Sequence, residues 1–378
     1  MKLESEVLEV TIADLSRSGP GVARDAGGRV VFVPGAAPGD RVRVRISSLE
    51  KRFAEAELLE ILEPSPERVV PRCAVFGRCG GCQWQHLGYE RQWRTKVSGA
   101  LHALARVKVA TPAELPREEF PASDPWNYRN RIQLRGGSFG LGFYARASNE
   151  IVPIERCEIA REELNSALPR FRDEAIRRGA PSKLELETGE DGQLSATWNS
   201  GHAARGFRQV HDEQNLRLRG WIASRLSGGG VLLDLYGGSG NLSIGLADRF
   251  ERVHCVDIGA GRLAERPGAP DLPKNLEFHA ADVGRWSARS IAAMDRGGRG
   301  ACILDPPREG CGDALPAISA LLDHVGVGEL VAVGCDADSW ARDVSRFISR
   351  GWRIDSIAFF DFFPQTTHFE SAARLVRV

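Results

Sequence analysis

The first sixty residues alternate between short apolar runs and turn residues. Glycine and proline pairs such as Gly19-Pro20 and Pro34-Gly35 favour turns between the runs. The pattern predicts strands at Val7–Ile12, Val30–Val33, Val42–Ile46 and Ala54–Ile61. Several short strands in so few residues are typical of an OB-like β-barrel, a shape often used to bind RNA. A barrel with a purely structural role fits the same pattern.

The middle of the chain has a mixed pattern. Glu63-Pro64-Ser65-Pro66 is typical of a linker. A helix is expected near residues 89–107, and we expect it to pack on the domain formed by the last part of the chain. Strand-like stretches follow at Arg131–Leu134, Leu141–Tyr144 and Lys183–Glu187. Apolar residues at helical spacing then predict a helix over Asn215–Leu226.

From Val231 onward, apolar strands alternate with glycine-rich turns, helices and loops. The predicted strands are Val231–Leu235, Val253–Val256, Leu276–Ala280, Ala301–Leu304 and Leu330–Val333. This alternation predicts a doubly wound, Rossmann-like α/β sheet. The chain is therefore expected to hold three domains: a barrel over residues 1–62, a mixed α+β domain over 63–200 and an α/β domain over 201–378.

Charge changes this picture only locally. The 378 residues carry 50 basic and 50 acidic side chains, and a net charge of zero argues against a general nucleic-acid coat. Basic residues nevertheless outnumber acidic ones between Arg68 and Arg146. That stretch forms either a phosphate-binding face or an ordinary solvated surface, and charge alone favours neither.

Several features bear on where the protein resides and how its cysteines are used. No apolar run approaches the roughly 20 residues needed to cross a bilayer, and residues 1–6 lack the apolar core of a secretory signal. We therefore expect a cytoplasmic protein. Its eight cysteines are then poor disulfide candidates, so metal binding and catalysis are the better interpretations.

A glycine-rich turn, Tyr236-Gly237-Gly238-Ser239-Gly240, follows the strand Val231–Leu235. Asp257 and Asp282 stand where the next two strands end and can accept hydrogen bonds from ribose hydroxyls or contact an adenine. The dinucleotide fingerprint needs glycine or alanine where this chain has Ser243. With Asp234 before the turn, the pattern instead favours S-adenosylmethionine.

The loop Asp305-Pro306-Pro307-Arg308 follows the fourth strand of this domain, where ligands of such sheets bind. Amino-group methyltransferases usually have an aromatic residue after the two prolines, and cytosine-5 RNA enzymes place a cysteine in the equivalent loop. Arg308 disfavours both classes.

Cys335 ends the next strand at the same edge of the sheet. Methylation of uracil carbon 5 requires a thiolate that adds to carbon 6 and a base that later removes the carbon-5 proton. A helix beginning near Asp338-Ser339 is expected to lower the pKa of the Cys335 thiol. A buried structural cysteine is the alternative, and it is how we interpret Cys255, Cys302 and Cys311.

The C-terminal run Phe363-Pro364-Gln365-Thr366-Thr367-His368-Phe369-Glu370 resembles the Phe-Pro-x-Thr-x-His-x-Glu motif of the RNA uracil-5 methyltransferase family. The resemblance implies that Cys335 forms a covalent adduct with carbon 6 and that Glu370 is the general base. It also implies a set of S-adenosylmethionine-binding residues: Gln209, Tyr236, Asn241, Asp257, Asp282 and Asp305.

Two segments depart from the family pattern. Gly334-Cys335-Asp336-Ala337 stands where the family usually has Ser-Cys-Asn-Pro, and Gln209-Val210-His211 stands where it usually has Gln-x-Asn. Both changes fall at the expected uracil pocket, so they bear on rate and substrate choice. They also leave a non-catalytic, RNA-binding member of the family as an alternative.

Cys73, Cys79 and Cys82 are closely spaced, and Cys157 lies far downstream. Four thiolates complete a tetrahedral set for zinc or for one [4Fe–4S] cluster, and their spacing does not choose between the two. The segment from Cys79 to His86 resembles the iron–sulfur loop of the ribosomal family members, and residues 142–157 resemble the segment that carries their fourth ligand. The resemblance implies a structural [4Fe–4S] cluster.

The first 62 residues resemble the TRAM module that accompanies the ribosomal members, and Asn127–Arg131 resembles a family segment near the RNA. The resemblance implies a 23S ribosomal RNA substrate, with the target uridine single-stranded or flipped out, and a monomeric enzyme. A transfer-RNA uridine is the alternative substrate.

Overall fold

Alternating burial along residues 7–63 builds one six-stranded sheet around an aliphatic core. Its strands are β1 (Val7–Thr11), β2 (Asp14–Leu15), β3 (Gly21–Arg24), β4 (Val30–Val33), β5 (Arg41–Leu49) and β6 (Phe53–Glu63). They lie in the order β1-β5-β6-β4-β3-β2, with only β4 and β6 parallel. The core is formed by residues such as Val31, Val33, Val42 and Val44.

The four strands predicted in this region are confirmed, whereas β2 and β3 were not predicted. Both are short, and β3 begins at a glycine, which lowers strand propensity. The structure shows why glycine is required there. A Cβ atom on Gly21 would lie 2.9 Å from Cγ2 of Ile12, the residue that follows β1, so this side chain leaves no room for a Cβ atom at the start of β3.

The structure is a computed structural model that describes residues 6–109, 115–189, 191–200, 208–260, 271–296 and 299–378. The chain divides into two compact units that interleave along the sequence. The N-unit holds Met1–Ser98, Ser123–Ser200 and Phe363–Thr367, and the C-unit holds Gly99–Ala122, Gly201–Phe362 and His368–Val378. Within the described ranges, no helix is long and apolar enough to cross a membrane.

The boundary between the units falls within a long helix, α1 (Tyr89–Arg106), after Ser98. It is followed by β7 (Arg117–Phe120), an edge strand of the C-unit sheet. The helix expected near residues 89–107 is thus confirmed, and its second half belongs to the C-unit.

A second sheet in the N-unit is antiparallel throughout. Its strands are β8 (Arg131–Gly137), β9 (Gly140–Tyr144), β10 (Ile151–Pro153), β11 (Ser182–Thr188) and β12 (Leu194–Trp198), in the order β10-β9-β8-β11-β12. The helix α2 (Glu162–Arg178) buries Leu164, Leu168 and Phe171 in the core of this sheet. It was not predicted, and it contains Pro169, which disfavours a helix interior.

The segment Phe363–Thr367 completes the N-unit although it comes almost at the end of the chain. The buried amides of Gln92 and Gln365 bond to each other: Gln92 Nε2 donates to Gln365 Oε1 at 3.0 Å, and the Gln365 backbone N–H donates to Gln92 Oε1 at 3.0 Å. The Gln365 carbonyl also accepts from the N–H groups of Gln83 and Trp84. Removing this segment would therefore leave buried N-unit groups without these partners.

The C-unit is a doubly wound α/β sheet. Its elements are α3 (Asp212–Arg225), β13 (Val231–Leu235), β14 (Arg252–Asp257), β15 (Leu276–Ala280), α4 (Val283–Ser290), β16 (Gly300–Leu304), α5 (Leu315–Val325), β17 (Val327–Gly334), α6 (Ala337–Ile348), β18 (Trp352–Phe360) and β19 (Glu370–Arg377). Short 3-10 helices occur at Ile244–Arg249 and Gly312–Ala314.

The strand order is β15-β14-β13-β16-β17-β19-β18-β7. Strands β13 to β17 run parallel, and β19 is antiparallel to both of its neighbours. The order reverses between β13 and β16, which is where ligands bind in such sheets. The predicted α/β fold and its five predicted strands are confirmed. The final pair, β18 and β19, was not predicted.

Candidate active site

The turn after β13 is rich in glycine, so it brings main-chain atoms without side chains to the edge of the sheet. Tyr236, Gly238 and Gly240 have positive φ angles of 64°, 56° and 78°. A Cβ atom on Gly237 would lie 2.6 Å from both Asp234 Cγ and Cys255 Sγ. Glycine is therefore obligatory at this position, and the turn leaves main-chain atoms free of side chains beside the switch point.

Three carboxylates gather below this turn, at the ends of parallel strands. The pKa of Asp305 is raised to about 7 by burial of its carboxylate and by the negative charges of Asp234 and Asp257. Burial also raises the pKa of Asp234 to about 6, with a further contribution from Asp257. Because like charges repel here, the cluster suits a ligand that carries positive charge.

Asp257 and Asp282 each present one uncommitted carboxylate oxygen. Asp257 Oδ1 accepts the Gly259 N–H at 2.6 Å. Asp282 is the N-cap of α4 and accepts the Arg285 N–H at 2.9 Å. Within the described residues, the second oxygen of each carboxylate makes no hydrogen bond, as a residue that binds hydroxyl groups requires.

The remaining cofactor candidates have less direct placements. Burial, Cys311 and Asp282 raise the pKa of the Tyr236 hydroxyl, which places Tyr236 and Asp282 near each other. The amides of Asn241 and Asn215 exchange two hydrogen bonds, of 2.9 and 2.8 Å, which fasten the turn to α3. Gln209 is buried just before α3.

The antiparallel register of β17 and β19 places Cys335 beside Glu370. Gly334 pairs with Ser371, so the next residue of one strand faces the preceding residue of the other. Cys335 is half-buried, and burial and the charges of Glu370 and Asp305 raise the pKa of its thiol to about 12, against the opposing effect of Arg308. The two residues therefore share one electrostatic environment.

Glu370 is buried, and its Oε2 atom makes no hydrogen bond within the described residues. Burial raises the pKa of Glu370 well above its usual value, Asp305 raises it further, and Arg308 opposes the shift. An unsatisfied carboxyl oxygen next to a thiol costs free energy in the folded state. Such a group is typical of a catalytic acid or base.

The start of α6 does not activate Cys335 as expected. The Asp336 carboxylate caps the helix, accepting the N–H groups of Asp338 at 3.1 Å and Ser339 at 2.9 Å. Burial and the charges of Glu370 and Asp305 outweigh the contributions that lower the pKa of this thiol. The first amides of α6 donate to the capping carboxylate of Asp336, and the pKa of Cys335 is raised.

The departures from the family pattern at the nucleophile have local structural reasons. A Cβ atom on Gly334 would lie 2.8 Å from Cβ of Trp340, so glycine makes room for that indole. Trp340 in turn donates its indole N–H to the Ala332 carbonyl at 3.0 Å. Asp336 is as good an N-cap as the asparagine it replaces. The residues that differ therefore keep the start of α6 intact.

Helix α6 also holds the loop that follows β16. Asp343 accepts the Cys311 N–H at 2.7 Å, and Arg342 donates to the Glu309 carbonyl at 3.0 Å. Gly310 has a φ angle of 80°, and a Cβ there would lie 2.5 Å from Asp343 Oδ2. The loop with Asp305 and the helix after Cys335 thus form one assembly.

The sequence did not identify Arg308 as a site residue, yet it is the cation that opposes the raised pKa of both Cys335 and Glu370. Its guanidinium lies 3.3 Å from Nε2 of His368. In the sequence, Arg308 only disfavours other methyltransferase classes. Its position in a loop at the ligand-binding edge was the signal that pointed to a role.

In the N-unit, all four candidate metal-binding cysteines line one cavity of about 200 Å³. Burial raises the pKa of Cys82 to about 12 and that of Cys157 to about 11. Cys157, Cys79 and Cys73 add to the raised pKa of Cys82, and Cys79 adds to that of Cys157. The predicted burial of Cys255, Cys302 and Cys311 is confirmed.

Hydrogen bonds fix the backbone around these cysteines. The Cys73 N–H donates to Gln85 Oε1 at 3.1 Å, and the Gly81 N–H lies 3.4 Å from the sulfur of Cys79. Asn165 of α2 accepts the Cys157 N–H at 2.9 Å and donates to its carbonyl at 3.1 Å. Four thiols held in this way fit a thiolate-bound metal centre.

The strand order, the glycine turn and the carboxylates at the strand ends define an S-adenosylmethionine-dependent methyltransferase domain. The TRAM domain model matches residues 2–59. The 23S rRNA (uracil(1939)-C(5))-methyltransferase RlmD of Chromohalobacter salexigens is 30% identical over 97% of this chain and 89% of its own length. An uncharacterized RNA methyltransferase of Bdellovibrio bacteriovorus is also 30% identical, over 97% and 94%.

Among solved structures, the tRNA (uracil-54, C5)-methyltransferase of Pyrococcus abyssi, in complex with S-adenosyl-L-homocysteine, shares the fold with a TM-score of 0.73. The match covers 97% of this chain and 99% of that one, at 23% identity. The chain belongs to the RNA (uracil-5-)-methyltransferase family, whose enzymes transfer a methyl group from S-adenosylmethionine to RNA.

Proposed function

We propose that this enzyme methylates carbon 5 of a uridine in 23S ribosomal RNA, with Cys335 as nucleophile and Glu370 as general base. The observation that carries the proposal is the register between β17 and β19, which sets the thiol beside a buried carboxyl with a free oxygen. A non-catalytic member would have no reason to maintain an unsatisfied buried acid at this place, because it destabilises the fold.

The first step is addition of the Cys335 thiolate to carbon 6 of the uracil, which makes carbon 5 nucleophilic. The thiol must lose its proton for this step, and Arg308 is the cation that favours the thiolate. Uridine in a duplex hides its ring, so the target must be single-stranded or flipped out.

Bound S-adenosylmethionine supplies the methyl group on a cationic sulfonium. The acidic cluster around Asp305 suits that charge, and the main chain around Gly237 leaves space for close approach. Asp257 and Asp282 offer oxygens for hydroxyl groups, and Gln209, Tyr236 and Asn241 complete the proposed site. The residues present therefore fit the cofactor.

In the last step Glu370 takes the proton from carbon 5, the double bond between carbons 5 and 6 re-forms, and the bond from carbon 6 to sulfur breaks, so that Cys335 leaves as a thiolate. Burial raises the pKa of Glu370, so its carboxylate, once ionised, is a stronger base than an exposed one. Arg308 favours the ionised form needed to accept the proton.

The separate roles of Cys335 as nucleophile and Glu370 as general base are tested with RNA that carries 5-fluorouridine. Fluorine cannot leave as a proton does, so wild-type enzyme should remain covalently attached to the methylated RNA. Cys335→Ala should abolish turnover and adduct, whereas Cys302→Ala, a change at a buried cysteine of β16, should retain the adduct. Glu370→Gln should accumulate an adduct on ordinary uridine, with turnover about 10²–10⁴-fold lower.

Denaturing gels with labelled RNA report the adduct in each case. An adduct formed by Cys335→Ala would show that another residue is the nucleophile.

The choice of 23S RNA rests on relatives such as the Chromohalobacter salexigens enzyme, which is named for uracil 1939 of that RNA. The domain arrangement does not add to it, since a tRNA (uracil-54) enzyme has the same fold over nearly its whole length. Mapping 5-methyluridine in ribosomal and transfer RNA, with and without this gene, tests the choice. Loss of the modification from transfer RNA alone would refute it.

We also propose that Cys73, Cys79, Cys82 and Cys157 hold a structural [4Fe–4S] cluster. The four cysteines line a cavity of about 200 Å³ together with apolar residues such as Phe76, Ile132 and Phe143, which leaves room for a group larger than a single ion. The methylation steps need no electron transfer, so the cluster would serve to fasten the Cys73–Cys82 loop to the segment before α2.

Anaerobic purification should give a brown protein with about four irons per chain. Cys157→Ser should lose the iron, while Cys311→Ser should retain it. Stoichiometric zinc without iron in the anaerobic preparation would contradict the cluster.

A further inference from the structure

Two histidines and a glutamate meet on neighbouring strands of the C-unit, separate from the residues assigned above. His254 lies on β14, and Glu277 and His279 lie on β15. The parallel register pairs His254 with Glu277 and Val256 with His279. Because side chains alternate between the faces of a strand, all three polar side chains emerge on the same face.

Their ligand atoms form a nearly regular triangle. His254 Nδ1 lies 3.0 Å from His279 Nε2 and 3.5 Å from Glu277 Oε2, and His279 Nε2 lies 3.8 Å from the same oxygen. A point equidistant from the three atoms lies about 2.0 Å from each, within the range of zinc–nitrogen and zinc–oxygen bonds.

The surroundings hold the two imidazoles in place and leave the carboxylate accessible. The side chains of His254 and His279 are 11% and 27% exposed, whereas Glu277 is 61% exposed. Trp286 of α4 packs against both rings, with centroids 6.0 and 5.0 Å away. A metal ion would therefore meet two fixed nitrogen ligands and one oxygen ligand that can close over it from solvent.

We propose that His254, Glu277 and His279 form a zinc-binding site. Two imidazoles and one carboxylate are a ligand set that Zn²⁺ accepts, with a water molecule in the fourth position. The simpler account is a hydrogen bond between the two imidazoles, with one proton between Nδ1 and Nε2. Zinc would take the place of that proton, and each ring would keep a proton on its other nitrogen.

The proposed zinc site lies on the two strands next to Asp257 and Asp282, the residues proposed to bind the cofactor. Strand β14 ends at Asp257, and Asp282 stands between β15 and α4, the helix that carries Trp286. A metal ion bridging β14 and β15 would fix the spacing of the strand ends on which those two carboxylates depend. We therefore assign it a structural role beside the cofactor site.

The test uses full-length protein that has been purified anaerobically and treated with a chelating resin to remove accessible metal. The measured quantities are the stoichiometry and the dissociation constant of added zinc. His279→Gln and Glu277→Gln change partly exposed side chains, so both variants should fold. Changes at supporting residues alone cost about 10–100-fold in metal affinity. Loss of a ligand should therefore raise the zinc dissociation constant at least tenfold and remove one bound zinc per chain. His102→Gln, an exposed histidine on α1, is the matched control and should bind as the wild type does.

Cobalt(II) distinguishes this site from the cysteines of the N-unit. A nitrogen and oxygen site gives visible d–d bands without the intense near-ultraviolet band of a cobalt–thiolate bond. These visible bands should appear in the wild type and the His102→Gln control and be lost in His279→Gln. Equal zinc stoichiometry and affinity in all four proteins, or a cobalt spectrum unchanged by His279→Gln, would show that the histidines only bond to each other.

Discussion

At the scale of single residues, the active site is defined by charges that burial makes costly. Asp305 and Glu370 both have raised pKa values, and both raise that of Cys335. The protein groups around the thiol therefore keep it protonated at neutral pH, and the positive charge of Arg308 opposes this effect.

We predict that removing the charge of Arg308 raises the pKa of Cys335 further. An opposite charge at close range typically shifts a pKa by one unit or more. In Arg308→Gln the thiolate fraction of Cys335 should therefore fall, and iodoacetamide should alkylate this residue about tenfold more slowly at pH 9. Iodoacetamide labelling from pH 7 to 11, followed by mass spectrometry, measures the rate in enzyme without RNA. In the wild type the rate should still be rising above pH 9.

The matched control is Arg353→Gln, which removes an exposed charge on β18. An equal alkylation rate at Cys335 in Arg308→Gln and in this control would contradict the electrostatic role of Arg308.

The sequence located Cys335 and Glu370 because a family motif and the edge of a parallel sheet both pointed to them. It could not predict the direction of the pKa shift at the thiol. That direction depends on which buried charges the fold brings together, and Asp305 and Glu370 lie 30 and 35 residues from Cys335 in the chain.

At the scale of secondary structure, periodicity predicted the central strands and missed the last antiparallel pair. Strand β19 contains Glu370 and Arg374, which hide its strand character. In the fold, Arg374 is neutralised by Asp355 at 2.6 Å and Glu329 at 2.5 Å. Partners on neighbouring strands therefore permit a charged residue that local sequence would place in a loop.

The N-cap of α6 gives a prediction at this scale. Asp336→Ala should lower the free energy of unfolding by about 1 kcal/mol, because two backbone N–H groups lose their acceptor. Asp336→Asn should remain within about 0.5 kcal/mol of the wild type, since asparagine caps equally well. Urea unfolding measures the free energy of unfolding of both variants. An equal decrease of this free energy in Asp336→Ala and Asp336→Asn would contradict a capping role.

Gly334 and Trp340 give a second prediction. Gly334→Ser places a side chain against the indole, so it should destabilise the protein by about 1–3 kcal/mol. In combination with Trp340→Gly, which removes the Cβ atom 2.8 Å away, the added cost of the serine should shrink because the clash is gone. A double-mutant cycle of unfolding free energies measures the coupling, and strictly additive effects would show that the two positions are independent.

At the scale of the whole molecule, the sequence suggested three domains in succession, and the compact units do not follow that order. Residues 99–122 belong with the C-unit and Phe363–Thr367 with the N-unit. The helix near residues 89–107 was expected to pack on the C-terminal domain, whereas composition and periodicity gave no signal that Phe363–Thr367 joins the N-unit, because that depends on long-range contacts. The Gln92–Gln365 pair is such a contact, joining positions 273 residues apart.

This exchange has a consequence for synthesis of the protein. The second segment of the N-unit ends at Ser200 and the third begins at Phe363. Translation proceeds at about 5–20 residues per second, so roughly 10–30 s pass in which the N-unit lacks its final segment. A released chain truncated after residue 362 should be cleaved readily by protease in the N-unit, and the released full chain should resist. The N-unit would therefore depend on a chaperone until Phe363–Thr367 has left the ribosome and can pack.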